Sequence, residues 1–360
     1  MPKVSVVIPN YNHARYLRQR IQSVVGQTFQ DFELILLDDC STDESRSVLS
    51  EYAGDPRIRM EFNEKNSGST FKQWNKGVRL ARGEYVWIAE SDDYADERML
   101  ERLVGVLDED AGLTFAYCRS WEFFEDGRQD RFLDLFLNFL DAQRWTADFR
   151  ADGSEECQDY FVVTNPVSNA SAVVFRKAVY ERVGGADESL RLCGDWKLWA
   201  AMAFEGRIAY LAEPLNYHRS HGESVRSKSN RTGLDTTEAL EVIRGILGRI
   251  SPTAAVWETM RWSTATCWPW AIVRLQVPLG VKRAMVYLES EEFRVNAPGR
   301  LRFLRFLVTY NHCYRRQMGW RLQAVNYFNA LASLFTGYRH FDLVEKSWLR
   351  TRRIVGSAST

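Results

Sequence analysis

The chain has 360 residues, 45% hydrophobic and 26% charged, enough for two packed domains or for one catalytic domain with a large appendage. Its 47 basic and 47 acidic side chains cancel overall, although residues 294–353 hold twelve Lys/Arg against only Asp342 and Glu345. Six scattered cysteines with no Cys-x-x-Cys pair exclude a disulfide frame or a zinc site, and no apolar run of 18 residues is present to span a bilayer.

Short apolar runs at Val4 to Ile8, Phe32 to Leu37, Ile58 to Phe62, Tyr85 to Ala89 and Leu113 to Tyr117 read as strands. Most are near-continuous, as expected where both faces of a mainly parallel sheet are covered. Helical stretches alternate with them at Ala14 to Val25, Asp43 to Tyr52, Thr70 to Arg82 and Asp96 to Asp108, with Ser41-Thr42-Asp43 as an N-cap cluster. This βαβα order predicts an α/β fold with a Rossmann-like, mainly parallel sheet and flanking helices. Residues 121–170 read as loops with short helices. A strand at Ala170 to Phe175, helices at Lys177 to Val183 and Asp195 to Phe204, and strands at Ile208 to Leu211 and Leu215 to His218 follow. A polar, basic stretch from Gly222 to Gly233 reads as a linker. The expected division is a catalytic domain over 1–230, with halves 1–105 and 106–230, and a helical, basic and aromatic domain over 231–360. The apolar start stops at Pro9, too short for an export signal, so a cytoplasmic protein is expected.

In open α/β sheets ligands bind beyond the carboxyl ends of the strands. Three polar clusters fall there: Pro9-Asn10-Tyr11-Asn12, Asp38-Asp39-Cys40-Ser41-Thr42-Asp43 and Glu90-Ser91-Asp92-Asp93. Turn and capping preferences explain any one of them; three at the same edge point to a site. No Gly-rich phosphate loop follows the first strand. A divalent cation, Mn²⁺ or Mg²⁺, held by Asp92-Asp93 is the natural substitute for neutralising a diphosphate.

Val4 to Asn12, Gln27-Thr28-Phe29-x-x-Phe32-Glu33-Leu34, Asp38-Asp39-x-Ser41-x-Asp43, Asn66-x-Gly68, Asn75, Ala81-x-Gly83-Glu84-Tyr85 and Ser91-Asp92-Asp93 closely resemble the opening of family 2 glycosyltransferases. The resemblance is dense over residues 3–105 and resumes at 169–176 and 194–224. It implies a GT-A fold and inverting transfer from a nucleoside-diphosphate sugar to a hydroxyl of a glycan or lipid-linked acceptor, in bacterial cell-surface polysaccharide synthesis. Carried over by position, Pro9, Tyr11 and Asn12 line the nucleotide pocket and Asp39 accepts from the base imide, which suits UDP or dTDP. Asp92 meets the ribose or sugar side, and Asp93 binds the metal. Lys72 is a further donor-side candidate. Cys193-Gly194-Asp195-Trp196 resembles the family's Glu-Asp-Trp segment, with Gly194 in the place of the Glu; Asp195 is then the general base and Trp196 an acceptor-side residue. Tyr217 to Ser224 resembles an Arg-x-His-x-x-Ser segment, making His221 a metal ligand and Arg219 or Arg226 phosphate contacts.

Gln143-Arg144-Trp145 lacks the spacing of the processive synthases' Gln-x-x-Arg-Trp and precedes Asp195, so processive export is not expected. A nucleotidyltransferase would need a basic Gly-rich loop that Asn10-Tyr11-Asn12-His13 does not supply. An inactive binding module would not need Asp39, Asp93 and Asp195 together. Basic residues interleaved with aromatics over 294–353, with Tyr327, Leu331, Leu334 and Phe335 on one helical face, suit an anionic membrane surface and a peripheral place at the inner leaflet. No nucleic-acid-binding motif accompanies them.

Overall fold

The first strand, β1 (Val4–Asn10), is buried along its whole length because it lies between two parallel neighbours, β2 (Phe32–Asp38) and β4 (Tyr85–Ile88). In the computed structural model, which describes residues 1–124, 129–130, 137, 140–141, 143–221 and 234–256, these strands belong to a sheet of ten. Its order is β3-β2-β1-β4-β9-β6-β10-β5, where β3 is Ile58–Phe62, β5 Tyr94–Ala95, β6 Leu113–Phe124, β9 Val173–Arg176 and β10 Arg207–Ser220. Two short strands lie off this path: β7 (Gln129–Asp130) pairs with β6, and β8 (Phe149–Asp152) with β10. The β1–β4 half is parallel; β9 enters antiparallel between β4 and β6, and β6 and β10 run parallel again. The mainly parallel α/β expectation therefore holds.

Alternation along β1 divides the core in two. Val7 joins Ile35, Phe71, Trp74 and Trp199 on one face, while Val6 and Ile8 join Leu17, Ile21 and Leu103 on the other. The helices α1 (Ala14–Val25), α3 (Thr70–Leu80) and α4 (Met99–Glu109) each bury a stripe at helical spacing, such as Met99, Leu100, Leu103, Val104 and Leu107 on α4. The short α2 (Ser45–Ser50) is preceded by Asp43, whose carboxylate accepts from Ser45 N and also from Ala14 N. The expected cap cluster thus serves two helix starts, and Ser41 turns to Asn10 and Asn12 instead.

The described residues between 143 and 170 hold more regular structure than the sequence suggests. β6 extends to Phe124, and β8 is followed by α5 (Gly153–Glu156) and a turn of π-helix at Cys157–Phe161. Trp145 is buried and donates to the Tyr117 hydroxyl at 3.1 Å. After β9 come α6 (Lys177–Arg182) and α7 (Gly194–Ala203). The two strands expected at 208–211 and 215–218 are one, with an irregularity where Pro214, which has no N–H to give the ladder, sits and the pairing with β6 shifts register.

The chain divides into two compact units, and all described residues belong to the one formed by Met1–Asn230 and Leu234–Met260. Within it α8 (Leu234–Leu247) places Val242 and Ile246 in the core beside Trp196 and Trp199. The expected boundary at residue 230 and the basic stretch 294–353 lie outside the described residues. Among those described, no helix is long and apolar enough to cross a membrane.

Candidate active site

The carboxyl ends of β1, β2 and β4 build the donor-side edge. Leaving β1, Asn12 adopts a left-handed backbone (φ 58°), and its side-chain oxygen accepts from the backbone N–H of Thr42, at 2.8 Å, and of Asp43. Asn12 is therefore a clamp between two loops. Pro9 is buried in β1, whereas the Tyr11 ring is 46% exposed and offers a platform. Asp39, buried, accepts Asn63 Nδ2, Ser67 N and Gln73 Nε2 on Oδ1 and the Ser67 hydroxyl on Oδ2. Oδ1 takes three of these donors and Oδ2 only one, so Oδ2 is the oxygen that can accept an incoming donor. Lys72 is exposed on α3, its ammonium 3.3 Å from Ser67 O.

The acidic loop after β4 separates its two aspartates. Asp93 is 2% exposed, and both of its carboxylate oxygens face protein groups. Asn169 Nδ2 (3.0 Å) and the Ser171 hydroxyl (2.7 Å) donate to Oδ2; Arg219 N (2.9 Å) and His218 Nδ1 (3.3 Å) approach Oδ1. Burial alone would raise the Asp93 carboxyl, but the His218 hydrogen bond and charge, the charge of Arg20 and the Ser171 hydroxyl hold it below the ordinary carboxylate range. Asp92 points the other way. Its carboxylate meets His221 Nε2 at 2.9 Å, and ligand atoms of His13, Asp92 and His221 all lie within 4.8 Å of one another. Of the two aspartates, it is Asp92 that stands with histidines where a cation could be held.

Two further side chains govern this loop. Arg20, on the buried stripe of α1, has no exposed surface; its Nε donates to Glu90 O at 2.8 Å and its guanidinium lies 5.1 Å from the Trp87 ring centre. Its two terminal nitrogens have no hydrogen-bond partner, so it acts as a fixed positive charge beneath Glu90, Asp92 and Asp93. Burial lowers the guanidinium to about 10, and the charges of Asp93 and Asp92 act against that fall. Glu90 accepts Trp74 Nε1 at 2.6 Å; burial and the neighbouring Asp92 charge push its carboxyl up to about 8, so it is a neutral acid at pH 7.

Arg219 and Trp196, expected at the phosphate and acceptor sides, are both held by protein partners. Arg219 is 8% exposed, with Nε on Asp92 O and a terminal nitrogen on Gln19, and its plane lies 4.6 Å from the Tyr16 ring centre. It braces the acidic loop. Trp196 is buried, its indole N–H on Phe161 O at 3.0 Å, which makes it a core residue. Arg226 lies outside the described residues.

Asp195 begins α7 half-buried, with Asn165 Nδ2 3.2 Å from its Oδ2. The loop entering this helix is fixed from α8: Glu238, 5% exposed, accepts the backbone N–H of Arg191, Leu192 and Cys193 at 2.9, 2.7 and 2.9 Å. Gly194 has a local cause. A Cβ there would come 2.5 Å from the Phe71 ring, so Phe71 fills the space of the acidic side chain that the resemblance leads one to expect.

Sequence reasoning missed His13, Arg20, Asn169, Ser171, His218 and Glu238. His13 had a signal, since it directly follows a strand-end cluster. The others lie far in sequence from the acids they support.

Residues 5–182 match the family model "Glycosyl transferase family 2". An uncharacterized glycosyltransferase of Nostoc sp. is 32% identical over 237 residues, 61% of this chain and 65% of that protein. The poly(ribitol-phosphate) beta-N-acetylglucosaminyltransferase TarP of Staphylococcus aureus is 40% identical over 107 residues, 29% of this chain and 32% of that one. The chain thus spans less than two thirds of the length of these curated relatives. Among solved structures, S. aureus TarS 1–349 in complex with UDP-GlcNAc superposes with a TM-score of 0.64 at 18% identity, covering 93% of this chain and 92% of that chain. A Pyrobaculum calidifontis mannosyltransferase in complex with GDP-Man and Mn²⁺ gives 0.53 at 15% identity, covering 88% of each. At these identities the two structures speak for the fold, and the family model speaks for descent. The chain carries a glycosyl transferase family 2 domain over residues 5–182, on a GT-A-like fold.

Proposed function

We propose that this chain is an inverting glycosyltransferase that moves a sugar from a nucleoside-diphosphate sugar, UDP or dTDP in preference, to a hydroxyl of a glycan or lipid-linked acceptor. One observation carries the reading. The strand-end edge offers Asp39 with Oδ2 able to accept an incoming donor and Asp92 beside two histidines, in a domain that also holds Asp195 half-buried at a helix start.

Asp39 suits an imide N–H, because its Oδ1 already accepts from Asn63, Ser67 and Gln73 while its Oδ2 can accept an incoming donor. The Tyr11 ring, half exposed, suits stacking by the base. A divalent cation fits the donor set of Asp92 and His221, which combines a hard carboxylate with an imidazole. We assign the metal to Asp92, in place of Asp93, because the Asp93 carboxylate is buried and already accepts from Asn169, Ser171 and Arg219. Such an ion, when bound, neutralises charge on a departing diphosphate.

Asp195 accepts the proton of the acceptor hydroxyl as that oxygen bonds to the anomeric carbon. The bond from that carbon to the diphosphate oxygen breaks on the opposite side, and the configuration inverts. Asn165 Nδ2 lies 3.2 Å from one carboxylate oxygen of Asp195 and orients the group. The relatives named for poly(ribitol-phosphate) substrates support a cell-surface polymer or its lipid-linked precursor as acceptor.

The test is calorimetric titration of the full chain with UDP, dTDP and GDP, each with and without Mn²⁺. Binding of UDP or dTDP that requires Mn²⁺ is the expected result. Tighter binding of GDP would overturn the base assignment, and no binding of any diphosphate would overturn the enzyme reading.

A further inference from the structure

We infer that His13 is a third protein ligand to the divalent ion, so that the site consists of two imidazoles and one carboxylate and selects Mn²⁺ or Co²⁺ over Mg²⁺. The inference rests on the reading of Asp92 and His221 as a metal site. His13 is held on both sides along the chain: Asn12 is clamped to Thr42 and Asp43, and Ala14 N donates to Asp43 Oδ2 at 2.9 Å. Its ring is fixed as well. Nδ1 lies 2.8 Å from the hydroxyl of Ser91, the residue next to Asp92, which leaves Nε2 as the nitrogen to offer. A hydrogen bond at one ring nitrogen that orients the other is the usual support of a ligating histidine.

The placement of the three groups agrees with a shared ion. The His13 and His221 rings meet edge-on, 5.7 Å apart at 85°, so they are not stacked on each other. Ligand atoms of His13, Asp92 and His221 lie within 4.8 Å of one another. An ion about 2.1 Å from each of three ligand atoms holds them roughly 3 to 4 Å apart, so only small side-chain movements are needed. The carboxylate is the oxygen donor that Mg²⁺ favours, but two nitrogen donors shift preference toward Mn²⁺, Co²⁺ and later metals. Neither imidazole needs to lose a proton to ligate, provided the ring is neutral.

The experiment is electron paramagnetic resonance of Mn²⁺ bound to the full chain, with Mn²⁺ alone and with Mn²⁺ plus UDP. Electron spin-echo modulation counts the imidazole nitrogens on the ion, and competition with Mg²⁺ measures selectivity. Two imidazole nitrogens are expected in the unaltered protein, and one in His13→Ala, with His13→Asn as a second variant should the first fail to fold. Mn²⁺ affinity should fall roughly tenfold in these variants and the preference over Mg²⁺ should shrink with it. One imidazole in the unaltered protein, unchanged in His13→Ala but lost in His221→Ala, would overturn the role of His13 and leave the Asp92–His221 site standing. Absence of Mn²⁺ binding in the unaltered protein, with or without UDP, would overturn the metal reading itself.

Discussion

Glu238 accepts the backbone N–H of Cys193 at 2.9 Å, two residues before Asp195. With Arg191 and Leu192 also donating to it, one buried carboxylate gathers three successive amides and sets the entry angle of α7. The group that fixes the proposed base therefore comes from a helix that follows the Gly222–Gly233 stretch, and a boundary drawn at residue 230 would remove it.

Removing that acceptor should cost both fold and rate. Glu238→Ala leaves three amides to find water in a buried place, at about 1–3 kcal/mol for each one that stays unsatisfied. Urea unfolding is expected to show a loss of about 2–4 kcal/mol, and turnover should fall while Mn²⁺–UDP affinity is retained. Unchanged unfolding and turnover would show that the contact positions nothing.

Asp195→Asn should keep the Asn165 contact and donor binding but lose turnover by about 10²–10⁴-fold, the usual worth of a general base. The two are separated by measuring UDP affinity alongside initial rates. Wild-type turnover in the variant would remove Asp195 from the chemistry.

Gly194→Ala places a methyl against the Phe71 ring, at 2.5 Å from its nearest carbon. Overpacking of this kind costs about 1–3 kcal/mol. Phe71→Leu should relieve part of that cost in the double variant, so the two changes should be non-additive in thermal unfolding. Strict additivity would mean that Phe71 is not what excludes a side chain at this position.

Glu156 gives a pH signature. Burial is the main cause that pushes its carboxyl from 4.5 up to about 7, against the attraction of Arg144. Between those values the folded state binds more proton than the unfolded one. Its stabilising contribution is complete below about 4.5 and is lost as pH rises through about 7. Urea unfolding from pH 4.5 to 8 should show a decline on the order of 2–3 kcal/mol that Glu156→Gln largely abolishes. The same decline in the variant would assign it to another group.

The sheet could be read from the sequence because continuous apolar runs such as Val4 to Ile8 and Phe32 to Leu37 have few other uses, and their polar ends marked the edge where Asp39 and Asp92 stand. The division of labour between Asp92 and Asp93 could not. Adjacent residues in a tight turn face opposite ways, and which one faces inward depends on Asn169, Ser171 and Arg219, more than 70 residues away. Arg20 was hidden by its position on an otherwise apolar helical stripe, where a charged side chain reads as a solvent-facing residue. The two-residue strand β5 is too short for any periodicity, yet its pairing with Asn216 and Tyr217 anchors the acidic loop to β10.

That long strand carries one more implication. Between Leu211 and Asn216 β10 advances five residues while β6 advances two, from Cys118 to Ser120. The surplus of three is odd, so the face that Leu211 shares with Cys118 passes to even-numbered residues from Asn216 onward, while each residue stays on the side of its β6 partner. Chain length at 212–214 thus acts as a phase setting for everything downstream. Deleting one residue there either shortens the irregularity or slips the downstream pairing with β6 by one, and the slip exchanges the sides on which the imidazole and the guanidinium emerge, a spatial frameshift with no change in composition at the site.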